Sequence, residues 1–541
     1  MPGTPVVLVL AFYAILAPSA YSQRAGQRAP RNDDGPTLNA SARNWLDAAV
    51  AALQANALTE AERAGRAAVA ASPASAATHN ILGVVLDRQG KNEDAFKQFS
   101  LAIKLDPGFV SARNNLGRML AERGRTADAI AEFQGVLKID PTHVQAHYNL
   151  GALYSDLGDF VKSAAHFARA REVDPQDPQL ALAFLNVAYR GERIAEANSV
   201  AELLEARFNS DSRGLFTLAT ILAQNHEYER AVRLFTKVNV MMPHTFEVLY
   251  NLGIALYNLD RNNEAATFLA EAADLNPSIA ETHFRLGLIA SAGGDTANAV
   301  EEFRHAIARD SKNANYHYLL GREFFRAGFW EGAIIEYTNA MNLDPKQAAY
   351  VLARANANYR KGEWTTSAQD FDQAAALDPT IENIDYLRAY AQRAAGNFDN
   401  ARELLEKVVK QQPDHTDALA SLGYVAIEQG RFDEAEEPLT RALKLDPQNV
   451  PVLYDYARLA VKRRNYAEAT NRLKRVIELN PALTQAHYQL FLAYSRLHQT
   501  DKAQIELAEF KRLEALEKQA TQERILDEKL RGQRLVGQPA Q

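Results

Sequence analysis

Arginine, asparagine and aromatic side chains recur together in two stretches of this chain that are 34 residues apart. Guanidinium forks beside amides and rings have the donor geometry to hold a carboxylate. The alternative is that these arginines are solvated and pair with nearby acids. The residues are Tyr318, Arg322, Phe325 and Arg326 in the first stretch, and Asn356, Tyr359 and Arg360 in the second.

A second, weaker group of polar residues comes earlier in the chain. It consists of Asn114, Asn115, Arg118 and Asn149. Amides and a guanidinium could bond the backbone of an extended peptide.

The sequence contains few residues that would indicate a catalytic, metal or cofactor site. There is no phosphate-binding glycine loop, no HExxH pair and no G-x-S-x-G motif. The absence of cysteine excludes disulfides and thiolate chemistry. His79, His147, His283 and His317 share one helical position, where side-chain packing is the favoured interpretation. We therefore predict no catalytic residue, no metal site and no cofactor.

Net charge argues against one class of partner. The formal charge is −7 over 541 residues. A protein held to nucleic acid by phosphate contacts is usually basic. We therefore predict no nucleic-acid partner.

The elements that position these residues repeat every 34 residues from residue 42 almost to the end. Each repeat predicts a helix, a turn, a second helix and a stop. The turn often has glycine at the fifteenth position, as at Gly90 and Gly430, and the stop is often Asp-Pro, as at 106–107. Fourteen such hairpins can be counted, and stacked helical hairpins are typical of periods this long.

Three positions in each hairpin have a restricted size. The eighth is glycine or alanine in most hairpins, the twentieth is alanine in most, and the twenty-fourth is usually large, as at Phe99 and Phe303. Two closely crossing helices need small residues at the crossing point, and a large residue then fills the space beside it. The sequence thus predicts one continuous seam of packed hairpins.

At these positions the chain resembles the tetratricopeptide repeat family. The resemblance lies in Asn-Leu-Gly at 115–117, 149–151 and 251–253, in the alanine and aromatic positions, and in the terminal proline. It covers about residues 42–515 and implies an all-α fold. The expected architecture is a right-handed α-solenoid superhelix of about 14 antiparallel helical hairpins. The family's usual role is to hold a peptide or protein partner in a concave groove lined by the first helices.

The resemblance places the fifth position of each hairpin in that groove. The position is aromatic in many hairpins, which suits an extended peptide. The alternative is that these rings pack half-buried against their neighbours. The arginine cluster is similar in kind to the carboxylate clamps of some family members, although the lysines of that motif are absent. The aromatic residues at the fifth position are Tyr148, Phe216, Tyr250, Phe284, Tyr318, Tyr386, Tyr454 and Tyr488.

The two ends of the chain differ from the array. Residues 1–22 contain an apolar run, 6–17, and a small-residue cleavage pattern typical of a signal peptide, although no basic residue precedes the run. Residues 23–41 predict a flexible linker. Residues 516–541 predict a charged extension of the last helix followed by a disordered tail from 532.

The favoured interpretation is a non-catalytic exported scaffold, periplasmic or secreted, that holds a protein or peptide partner. Envelope assembly or secretion would be its context. Two alternatives remain open. One is the substrate-recognition subunit of an enzyme complex such as a glycosyltransferase, and the other is a cytoplasmic adaptor or co-chaperone if the signal is not real.

Overall fold

The computed structural model describes residues 38–536. The predicted signal peptide, most of the predicted linker and the last five residues lie outside this range. Twenty-eight helices make up fourteen antiparallel hairpins in the described residues. Odd-numbered helices are the first and even-numbered helices the second in each hairpin. The predicted all-α array of hairpins is confirmed.

Contacts divide the chain into two units that meet at Leu275 and Asn276. Hairpins one to seven form unit one, and hairpins eight to fourteen form unit two. The helices of unit one are α1 (Ala40–Gln54), α2 (Leu58–Ala71), α3 (Ala76–Arg88), α4 (Asn92–Leu105), α5 (Val110–Glu122), α6 (Thr126–Ile139), α7 (Val144–Asp156), α8 (Phe160–Val173), α9 (Pro178–Ala188), α10 (Ile194–Arg207), α11 (Ser212–Gln224), α12 (Tyr228–Met241), α13 (Phe246–Tyr257) and α14 (Asn262–Leu275).

The helices of unit two follow the same pattern except at the end. They are α15 (Ala280–Ala292), α16 (Thr296–Arg309), α17 (Ala314–Arg326), α18 (Trp330–Leu343), α19 (Ala348–Lys361), α20 (Trp364–Leu377), α21 (Ile384–Ala394), α22 (Phe398–Gln411), α23 (Thr416–Glu428), α24 (Phe432–Leu445), α25 (Val450–Lys462), α26 (Tyr466–Leu479), α27 (Thr484–Arg496) and α28 (Thr500–Val536).

The turn within each hairpin uses one residue in the left-handed region. All fourteen fifteenth positions have positive φ, eight of them glycine. This ends the first helix and reverses the chain within a few residues. The six hairpins without glycine adopt the same conformation at greater backbone cost. Their residues are Asn56, Glu192, His226, Asp260, Arg464 and His498.

The seam between the two helices of a hairpin has the predicted small and large residues. A Cβ built on Gly287 would lie 2.7 Å from the ring of Phe303, and one on Gly83 would lie 2.7 Å from Phe99. Alanines at the twentieth position, such as Ala299, are fully buried. Neighbouring hairpins add their residues to shared apolar clusters, one of which runs from Leu82 to Leu153 in unit one. Stacking thus stabilises helices that would be too short to persist alone.

The last helix is much longer than the others. α28 has 37 residues. Its first half packs on α27, its partner in hairpin fourteen, and Ala503 and Leu513 are buried there. Near its end Gly532 is buried, and a Cβ there would lie 2.8 Å from the ring of Phe329 in hairpin nine. The helix continues to Val536, and the rest of the tail predicted from 532 lies outside the described residues.

Candidate interaction surface

The first helices lie side by side within each unit. Direct contacts join, for example, α3 to α5 and α21 to α23. Across the described residues no two second helices of neighbouring hairpins are in comparable contact. A stack is concave on the side where its helices are closer together. We call the surface formed by the first helices of a unit its inner face.

The predicted arginine cluster of hairpin nine encloses a buried carboxylate. Glu323 has no exposed surface and accepts a hydrogen bond of 2.6 Å from Ser291 Oγ. Arg326 donates to Ser291 Oγ at 3.1 Å and to Glu323 at 3.3 Å. The Arg322 Nε lies 3.7 Å from the same carboxylate. The alternative of arginines paired with nearby acids therefore describes the close contacts of this cluster.

The other members of that cluster have contacts of their own. Phe325 packs on Trp330 at a centroid distance of 5.0 Å. Asn356 donates to the carbonyl of Leu352 in its own helix, and Arg360 is exposed. The side-chain amide of Asn356 thus bonds within its own helix, whereas Arg322 and Arg326 lie against Glu323.

Two rings of the cluster contact further tyrosines. Tyr318 lies 5.1 Å from Tyr350, and Tyr359 lies 5.0 Å from Tyr390, both between ring centroids. Each of these contacts joins neighbouring hairpins.

The asparagine group of unit one forms a row of amide contacts. Asn115 donates to Asn80 at 3.0 Å, and Asn149 donates to Asn114 at 3.5 Å. These side chains are half-buried on the inner face. The predicted residues thus lie together.

Arg118 in this group has two carboxylate partners. It pairs with Asp87 of the preceding hairpin and with Glu122, at 2.6 Å, in its own helix. Its charge is therefore already neutralised.

The aromatic residues at the fifth position differ between the two units. In unit one Tyr250 is fully buried, and Tyr148 and Phe216 are nearly so. Tyr148 and Tyr250, predicted as groove residues, therefore offer little or no exposed surface in this arrangement. In unit two Phe284, Tyr318 and the later tyrosines keep part of each ring exposed. Among the fifth-position rings, those of unit two therefore offer the larger exposed aromatic surface to a peptide.

Unit two also contains a ladder of tyrosine rings and guanidinium groups that was not predicted from the sequence. Successive members are 4.8 to 6.0 Å apart, measured between two ring centroids or between a ring centroid and a guanidinium carbon. Its signal in the sequence is a tyrosine or arginine at the ninth position of three successive hairpins. The tyrosine–arginine ladder consists of Tyr359, Tyr390, Arg393, Tyr424, Arg458 and Tyr454.

Histidines at the fourth position join three parts of the array. His317 Nδ1 lies 2.7 Å from Glu336 of the second helix, and its Nε2 lies 3.4 Å from the carbonyl of Ser311 before the hairpin. The hydrogen bond to Glu336 raises the pKa of His317. His487 has the equivalent contacts with Glu506 and Pro481.

Other residue types make the same pair of contacts in unit one. Arg113 bonds Glu132 at 2.9 Å and the carbonyl of Pro107 at 3.0 Å. His147 Nδ1 lies 3.0 Å from His166 Nδ1. Burial and the neighbouring His147 lower the pKa of His166 to about 4. These histidines thus make hydrogen bonds to the second helix of their own hairpin. Sequence reasoning missed their partners 19 residues later.

Within residues 38–536, no three metal-ligating side chains converge as they would around an ion. None of the helices in that range has the length and apolar character to cross a membrane.

Two family models, both described as tetratricopeptide repeat, match the chain. One matches residues 82–144, 216–280, 250–314, 318–380 and 386–450, and the other matches 120–184 and 426–493. The chain belongs to the tetratricopeptide repeat family. This family's fold typically serves as a non-catalytic scaffold that binds protein partners.

Solved structures similar to this tetratricopeptide repeat protein share low identity with it. Naa15/Naa10 bound to HypK-THB matches at 15% identity, covering 92% of this chain and 100% of that chain, with a TM-score of 0.33. The Cut9-Hcn1 hetero-tetramer of APC/C matches at 15% identity over 84% and 96%, with a TM-score of 0.31. MamA from Desulfovibrio magneticus matches at 23% identity over 32% and 97%, with a TM-score of 0.30. None of the curated proteins compared with the chain matches it.

Proposed function

We propose that this tetratricopeptide repeat protein is an exported, non-catalytic scaffold that holds an extended segment of a partner protein on the inner face of unit two. Envelope assembly or secretion is the proposed context. The observation that carries the proposal is the row of half-exposed rings and guanidinium groups across neighbouring first helices of that unit. The proposed export depends on the apolar run at 6–17.

Site-specific photo-crosslinking in living cells tests the binding surface. Arg360 is exposed on α19, and replacing it with p-benzoylphenylalanine removes no ion pair between described residues. Ile335 on the second helix α18 is 54% exposed and provides the matched control position. We expect a discrete protein adduct from position 360 and none from position 335. Equal adducts from both positions would contradict binding on the inner face.

An alanine scan of Arg322 and Arg326 is a poorer test of the same surface. Both arginines lie against the buried Glu323. Removing them would leave a buried carboxylate without its cations, which destabilises a protein strongly. Lost binding would then reflect lost folding.

Export and catalysis need separate measurements. Mass spectrometry of the mature N-terminus from fractionated cells should find a start at or near Gln23 in the exported fraction. An intact N-terminus in the cytoplasm would favour the adaptor interpretation. Turnover by the purified chain alone would overturn the non-catalytic assignment.

A further inference from the structure

The tyrosine–arginine ladder crosses four neighbouring first helices: α19, α21, α23 and α25. The Arg393 guanidinium lies 4.8 Å from the ring of Tyr390 and 5.1 Å from the ring of Tyr424, and Arg458 lies 5.3 Å from the same Tyr424 ring. Tyr424 is therefore held between two cations. All three central residues, Arg393, Tyr424 and Arg458, are half-buried, so part of each side chain remains accessible.

The two arginines of the ladder differ in charge balance. Arg458 pairs with Asp455 at 2.9 Å and with Glu428 of the preceding hairpin. Burial raises the pKa of Asp455, and the nearby arginines oppose this shift. Arg393 donates one hydrogen bond, to Ser421 Oγ at 3.1 Å. Among the described residues no carboxylate lies within ion-pair distance of Arg393.

Arg393 thus has a fixed position and unused donors. A guanidinium carries five N–H groups in a planar fork. The rings of Tyr390 and Tyr424 and the hydroxyl of Ser421 hold this fork in place, so binding would cost little side-chain entropy. Further first-helix cations nearby, Arg360 and Lys462, are exposed and have no close carboxylate within the described residues. This local positive excess contrasts with the net charge of −7 for the chain.

We infer that the tyrosine–arginine ladder selects an acidic protein segment, with an aspartate or glutamate carboxylate bound by the Arg393 fork and the adjoining chain lying over the tyrosine rings. The inference rests on the proposed function and names the chemistry of its partner. A carboxylate matches the planar fork of Arg393, which has no ion-pair partner among the described residues. A phosphate dianion carries about twice the charge of a carboxylate, so Asp455 and Glu428 close by would repel it more strongly.

Selection from a displayed library of random 16-residue segments on the full-length chain tests this inference. We expect enrichment of Asp and Glu among segments bound by the wild type. The enrichment should disappear on R393Q and persist on R475Q. Arg475 is an exposed arginine of the second helix α26 and provides the matched control.

A synthetic copy of an enriched segment gives the quantitative test. Replacing its acidic residue by the isosteric amide should weaken binding to the wild type at least tenfold and leave binding to R393Q unchanged. R393K, which retains the charge but lacks the planar fork, should give intermediate affinity. Circular dichroism should give the same melting midpoint for all variants. If R393Q has a lower melting midpoint than the wild type, R393K is compared with the wild type instead.

The outcomes separate this inference from the proposed function. Segments that crosslink to position 360 without acidic enrichment, or acidic enrichment that survives R393Q, would overturn the inference and leave the scaffold proposal standing. A phosphoserine copy that binds more tightly than the aspartate copy would also overturn it. Absence of any crosslink at position 360 would count against the scaffold proposal itself.

Discussion

At the scale of single residues, His317 and Glu336 predict a pH dependence. The hydrogen bond to Glu336 raises the folded-state pKa of His317 above its ordinary value. The pair therefore stabilises unit two fully below the unfolded-state pKa, and this contribution is lost as the pH rises through the raised pKa. Hydrogen exchange of hairpin nine should show weaker protection at pH 8.5 than at pH 5.5.

E336Q provides the control for this histidine. A neutral amide can still accept a hydrogen bond but cannot favour the imidazolium. We expect E336Q to return the pKa of His317 toward its ordinary value, as measured by NMR of 13C-labelled histidine. An unchanged titration would exclude Glu336 as the cause.

The contact between Gly287 and Phe303 predicts overpacking. A Cβ at position 287 would lie 2.7 Å from the ring, so the ring or a helix must move. G287A should cost roughly 1–3 kcal/mol of local unfolding free energy. The double variant G287A/F303L should recover part of this loss relative to the sum of the single changes. Additive losses in hydrogen exchange would argue against a direct contact.

At the scale of elements, the left-handed turn residue predicts stability changes of opposite sign for two substitutions, R464G and G430A. Arg464 has φ +58° and is exposed, so R464G should relieve backbone strain. Strain of this type costs roughly 1–3 kcal/mol. Glycine also increases the conformational entropy of the unfolded chain, which offsets part of the stabilisation from relieving the strain. We expect local stabilisation of about 1 kcal/mol.

G430A is the matched change in the opposite direction. Gly430 has φ +73°, and a Cβ there would meet no atom within 4 Å. Its expected destabilisation therefore comes from backbone strain alone. Local unfolding free energies from hydrogen exchange should move in opposite directions for R464G and G430A.

The contact of α28 with hairpin nine can be tested because the chain has no cysteine of its own. The pair F329C/G532C should form an intramolecular crosslink with a short bismaleimide. L343C/G532C is the control, since Leu343 lies at the other end of α18, about 20 Å away along the helix axis. Equal crosslinking of both pairs would contradict the contact.

The sequence predicted the repeating elements better than the surface they carry. The period of 34 residues located every hairpin, because small, large and turn residues recur at fixed positions. The same reasoning did not predict the burial of Tyr148 and Tyr250, since a repeat position fixes a place on a helix but not which neighbours cover it. The role of Glu323 was missed for that reason. Tyr390, Tyr424 and Arg458 share the ninth position of their hairpins, but their contacts are recognised only when the first helices are placed side by side.

At the scale of the whole molecule, the division at Leu275 predicts two separable folding units. In a repeat array stability is approximately a sum over units and nearest-neighbour interfaces. Fragments 38–275 and 276–541 should each be helical and unfold cooperatively by circular dichroism. A fragment 38–258, which leaves α13 without its partner helix, should melt at lower temperature than 38–275. Failure of both longer fragments to fold would contradict the division.

The contact of Gly532 with Phe329 bears on how this protein is handled. A predicted signal peptide at the N-terminus makes the C-terminus the usual choice for an affinity tag. The end of α28, however, lies against hairpin nine, which also carries Arg322 and Arg326. A fusion partner joined there would add bulk beside this surface and could block a binding assay through crowding alone. An internal epitope in an exposed loop between hairpins of unit one avoids that artefact.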